Sequence, residues 1–75
     1  MPYLAIKTLP KDEETKKRAV ERLYQVLLEE WDCPASAISI SIEDITLEEY
    51  KEKIMKEEYV AKKDAMYILN GEKQF

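Results

Sequence analysis

Histidine is absent from the 75 residues of this chain, glycine occurs once, at Gly71, and cysteine once, at Cys33. Each scarcity removes a class of chemistry. Without histidine there is no Ser-His or Cys-His catalytic pair. With one cysteine there is neither an intrachain disulfide nor a Cys/His set for a structural zinc, and Cys33 reads as a reduced, inert thiol. A lone glycine builds no glycine-rich phosphate loop. No apolar run is long enough to span a bilayer, and the first residues lack the apolar stretch of a signal peptide. The expectation is a cytoplasmic protein with no membrane partner. Basic residues number 12 against 16 acidic ones, a formal net charge of −4, and the two kinds are interleaved. That leaves no clustered basic surface for nucleic acid.

What is present points to a folded chain. Hydrophobic residues make up 45% and charged residues 37%, a balance that suits a soluble globular protein rather than a disordered one. The length allows one domain, residues 1–75. A single core of this size supplies no more than about 3–5 kcal/mol. With no disulfide or metal to reinforce it, self-association is the remaining common way to bury apolar surface.

Residues 2–9 read as a strand, with Leu4 and Ile6 alternating with Ala5 and Lys7. Pro2 suits a first strand position, where its missing N–H costs least. Asp12 is placed as a helix N-cap, with Glu13 and Glu14 where the helix dipole favours negative charge. From there to Trp31 runs a long amphipathic pattern, Ala19, Val20, Leu23, Leu27 and Trp31, broadened by Val26 and Leu28. Asp32-Cys33-Pro34 ends it. Residues 38–42 alternate strictly, Ile-Ser-Ile-Ser-Ile, as a strand with one buried face. Strand, long helix and strand make a β-α-β unit with parallel strands. Thr46 and Glu49 match a capping box that opens a short helix in which Leu47, Tyr50 and Ile54 share a face. Residues 56–64 are read as another short helix with Tyr59 and Val60 facing inward. Met66 to Leu69 looks like a last strand, followed by a tight turn at Asn70-Gly71, pairing with the same chain or with a partner subunit.

The plentiful carboxylates sit at solvated helical spacings, which leaves the amino terminus as the seat of chemistry. Removal of Met1 would expose the Pro2 nitrogen as a secondary amine on a rigid ring. Such an amine acts as a general base when its pKa falls toward neutrality, as an apolar pocket or nearby cations bring about. Proline is common enough that a Met-Pro start also arises by chance.

The order Met1-Pro2, a strand ending near Leu9, a long helix, Asp32-Cys33-Pro34 and the 38–42 strand resembles the 4-oxalocrotonate tautomerase family. Residues 45–71, with the tail Ala65-Met66-Tyr67-Ile68-Leu69-Asn70-Gly71, resemble its extended, dimer-forming subgroup. The resemblance implies an α/β (α+β) subunit whose sheets join across a dimer, with a homohexamer as the alternative. It implies a cofactor-independent keto–enol tautomerase that needs no metal, with Pro2 as the base and a small enol or keto acid as substrate. The family's first arginine falls near Lys11, which keeps the charge but loses the bidentate fork; a solvated loop lysine is the other reading. Its second arginine aligns with Ser39, so a monocarboxylate with an apolar tail fits better than a dicarboxylate. Tyr50 falls near an aromatic pocket wall of the family, with core packing against Leu47 and Ile54 as the other reading. A non-catalytic dimeric or small-ligand-binding module on the same scaffold is the competing function.

Overall fold

Alternation at Leu4 and Ile6 produces the first strand, β1 (Tyr3–Thr8), and the same pattern further along produces β2 (Ser39–Asp44). The two lie parallel, with Leu4 opposite Ile40 and Ile6 opposite Ile42. Partners in this register share a face, so the four aliphatics form one half-buried surface. Tyr3, Ala5, Lys7, Ser39, Ser41 and Glu43 lie on the other face, where the Tyr3 and Ser41 hydroxyls bond at 3.3 Å. The computed structural model describes all of residues 1–75 and shows a small α+β fold with one parallel strand pair. The chain divides into two compact units, Met1–Ile45 and Thr46–Phe75.

Helix α1 (Glu13–Trp31) crosses between the two strands. The Asp12 carboxylate caps it, accepting from the Thr15 N–H at 3.0 Å and from the Thr15 hydroxyl at 2.8 Å. These bonds hold the Asp12 carboxyl below its ordinary value of 3.8. A group lowered on folding stabilises the fold above its unfolded pKa, and the benefit disappears as pH falls through the lowered folded value. Asp12→Asn, which still caps but does not titrate, is therefore expected to flatten the loss of helical circular dichroism below about pH 4. An unchanged acid limb in that variant would refute the assignment.

At its far end α1 stops at Asp32, which takes the left-handed conformation with φ 49° two residues before Pro34. A single 3₁₀ turn, Ala35–Ala37, leads into β2. Because β1 and β2 are parallel, α1 must run back against both of them. The Lys16–Asp44 ion pair of 2.7 Å fixes its first turn at the carboxyl ends of the strands. Its last turn therefore lies at the end where Pro2 and Ser39 sit.

The second unit opens on the expected capping box. The Glu49 N–H donates to Thr46 Oγ1 at 3.1 Å, and the Thr46 N–H donates to Glu49 Oε1 at 3.2 Å. Beyond the box the expected pair of short helices is replaced by one continuous helical stretch over residues 47–61. Its middle, Tyr50–Glu58, is wound as a π-helix, in which the Tyr59 N–H reaches back five residues to the Ile54 carbonyl. The wider winding decides which side chains meet. Nine residues of α-helix turn through about 900° and would put Tyr50 and Tyr59 on opposite sides. At about 4.4 residues per turn the same nine return to nearly the same side. The two rings stand edge to face, 6.2 Å between centroids and 87° between planes, and their hydroxyls hydrogen-bond. Val60, expected to face inward, is 70% exposed because the face now runs through Tyr50, Ile54 and Tyr59.

The bond to Tyr50 raises the Tyr59 phenol above its ordinary value of 10.0. Tyr59→Phe is accordingly expected to remove the most alkaline step from an absorbance titration of the tyrosines. It should also cost about 1 kcal/mol in urea unfolding. A titration curve that merely loses one ordinary tyrosine would count against the pair.

Strand β3 (Ile68–Leu69) pairs antiparallel with β4 (Glu72–Lys73), so the last strand finds its partner within the chain. Asn70 and Gly71, with φ of 51° and 81°, make the connecting turn. Both values are positive, as a type I′ hairpin turn requires. Neither unit encloses a side chain fully: no residue of the chain is buried. No helix is long and apolar enough to cross a membrane.

Candidate functional site

Pro2 sits one position ahead of β1, where a proline interrupts no ladder bond. Its carbonyl accepts the Ser39 N–H at 3.2 Å, which extends the parallel ladder by one residue and fixes the ring to the second strand. Alternation along the strand places Pro2 on the side of Leu4 and Ile6, the side that α1 covers. It is half-buried, whereas Met1 is 98% exposed. The ring nitrogen, joined here to Met1 as an amide, is thus held at a defined place under the carboxyl end of α1.

The side chains at the end of α1 carry only negative charge. Glu29, Glu30 and Asp32 surround the end of α1, whose last turn carries no basic residue. The unpaired carbonyls of a helix end add partial negative charge of their own. A general base needs the reverse, because negative charge beside an amine favours its protonated form. One chain alone therefore supplies the rigid anchor for Pro2 without the positive field.

Lys11 stands elsewhere. It is exposed in the loop between β1 and α1, beyond the carboxyl end of β1. At about 3.3 Å per residue the strand separates it from Pro2 by roughly 20 Å or more. The structure does not bring Pro2 and Lys11 together within one chain. Ser39 does lie at the Pro2 end, bonded through its backbone. Tyr50 belongs to the second unit, where its ring and hydroxyl are engaged by Tyr59. Tyr59 is the residue that sequence spacing missed, since only π winding aligns it with Tyr50.

A groove of about 500 Å³ opens between α1 and β2. Val20, Ile40 and Ile42 line it, with Glu13, Lys17 and Glu21 among its charged residues. Mixed charges give it no preference for an anion, and Pro2 takes no part in it. The chemistry of a secondary amine thus belongs to the strand end rather than to this hollow. No group of three or more histidine, cysteine, aspartate or glutamate side chains is placed to hold a metal ion. No family model matches the chain, and no curated protein matches it.

Proposed function

We propose that this chain is a cofactor-independent keto–enol tautomerase of 2-hydroxydienoate or enolpyruvate-type acids, with the Pro2 nitrogen as general base after removal of Met1. The observation that carries the reading is the fixed position of Pro2, half-buried at a strand start and tied to Ser39 by its carbonyl. The exposed Met1 leaves the bond before Pro2 open to an aminopeptidase. A free Pro2 amine takes the proton from the enol hydroxyl and returns it to carbon, so no electron acceptor or metal enters the balance. Rigid placement of the nitrogen makes proton transfer effectively intramolecular.

The reading also requires a second chain. Lys11 is the residue proposed to hold the substrate carboxylate, and it lies at the wrong end of its own β1. In a homodimer whose β1 strands run antiparallel, Pro2 of one chain approaches the Lys11 end of the other. That arrangement brings a cation to an acidic site, lowering the amine's pKa and neutralising the substrate.

The test is ketonisation of an enolpyruvate by chains whose intact mass shows Met1 removed, set beside chains that retain it. Activity confined to the methionine-free chain supports the reading. Equal activity in both excludes Pro2 as the base, and no activity in either leaves the binding module on the same scaffold as the better account.

A further inference from the structure

Trp31 is the last residue of α1 and the only tryptophan of the chain. The half-buried residues Val20, Leu23, Tyr24, Leu27 and Leu28 mark the side of the helix that faces the sheet. At about 100° per residue, Trp31 falls within roughly 20° of the middle of that stripe. By direction it belongs against the strands, yet it is 62% exposed.

The lengths of the elements explain the exposure. The Lys16–Asp44 ion pair ties the first turn of α1 to the end of β2. From Lys16 to Trp31 the helix advances about 22 Å. From Asp44 back to Ser39 the strand covers only about 17 Å. Trp31 therefore overhangs the start of β2 by about 5 Å, one turn of helix. That places it level with Pro2, whose carbonyl accepts the Ser39 N–H. Helical Cα–Cβ bonds tilt toward the helix amino terminus, so Trp31 leans back toward the face that carries Pro2.

Nothing inside the chain uses the indole: neither a hydrogen bond nor a ring contact engages it. It is a flat apolar surface beside the proposed base. Its neighbours decide which part of a substrate can lie on it. Glu30 and Asp32 flank it in sequence, and no ion pair neutralises either. Like charges brought together are costly, so a substrate carboxylate is kept away from this end. The group that covers the indole is then uncharged, and a planar apolar one covers it best.

We infer that Trp31 is a specificity-determining residue of the Pro2 site, taking the aryl or other planar apolar tail of an enol monocarboxylate. The inference rests on the proposed function and adds the residue that holds the far end of the substrate. A diacid whose second carboxylate takes the place of the tail meets Glu30 and Asp32 and is disfavoured.

Tryptophan fluorescence reads this site without turnover, because Trp31 is the only source. In the chain freed of Met1, 3-phenylpropanoate, an unreactive aryl monocarboxylate, should shift the emission saturably to shorter wavelength as the indole is covered. Succinate, a diacid, should not. In ketonisation, Trp31→Ala should raise KM for phenylenolpyruvate about fivefold to tenfold. Its kcat should stay unchanged, the mark of a contact made equally in ground and transition states. For an enolpyruvate without a tail neither constant should move, and Trp31→Phe should recover most of the lost affinity. Emission indifferent to 3-phenylpropanoate, an equal response to succinate, or the same KM change for both enols would each overturn the assignment. A saturable shift in a chain that ketonises nothing would uphold the Trp31 site while removing Pro2 as the base. Ketonisation that needs a free Pro2 but ignores Trp31→Ala would do the reverse.

Discussion

A chain that keeps Met1 is expected to ketonise an enolpyruvate about 10²- to 10⁴-fold more slowly than the same chain with Pro2 free, the usual contribution of a positioned general base. An amide nitrogen has no basic lone pair, so the loss falls on kcat, and KM should change little because Lys11, the proposed carboxylate anchor, is untouched. Pro2→Ala after methionine removal is a milder change. It leaves a primary amine at the same strand end but frees it from the ring, so its activity should lie between the two. Steady-state kinetics on samples of verified intact mass read the order. A Pro2→Ala chain as active as the wild type would remove the ring from the mechanism.

Ile42→Asp is expected to unfold the first unit. Ile42 is half-buried, pairs with Ile6 across the parallel register and lines the groove under α1. The variant loses most of one aliphatic contact and places a carboxylate against an apolar surface, together about 2–4 kcal/mol. A core of this size supplies only about 3–5 kcal/mol in total. Circular dichroism at neutral pH should show loss of the α1 signal. Ser41→Asp, one residue earlier on the opposite face, should stay folded; equal damage from both would mean that α1 does not cover the face assigned to it.

The first unit was legible because each of its elements has a pattern with one physical meaning. Alternation at Leu4 and Ile6 and at Ile40 and Ile42 has the period of a strand. The α1 stripe has the period of a helix, and Asp12 and Pro34 mark its ends. The second unit was legible only where local chemistry sufficed, at the Thr46–Glu49 capping box and the Asn70-Gly71 turn. Between them the pattern was read at 3.6 residues per turn while the backbone is wound more loosely, which misplaced Val60 and separated Tyr59 from Tyr50. Strand β4 escaped notice because Glu72 and Lys73 carry no apolar alternation. For the site, sequence supplied the residue types but not their distances. Pro2 and Lys11 are close in number, yet an intervening extended strand holds them at opposite ends. The acidic surroundings of Pro2 follow from α1 running back toward it, a consequence of parallel pairing that composition does not express.

The π winding of residues Tyr50–Glu58 bears on which changes of length this segment tolerates. An ordinary α-helix aligns side chains about seven or eleven residues apart, whereas the looser winding aligns Tyr50 and Tyr59 at nine. Deleting one residue between them would leave the tyrosines misaligned under either winding. Deleting two would let a plain α-helix hold the same pair. Chains descended from a common ancestor with this one would then differ here by two residues or by none, and a single-residue gap would mark the loss of the tyrosine contact.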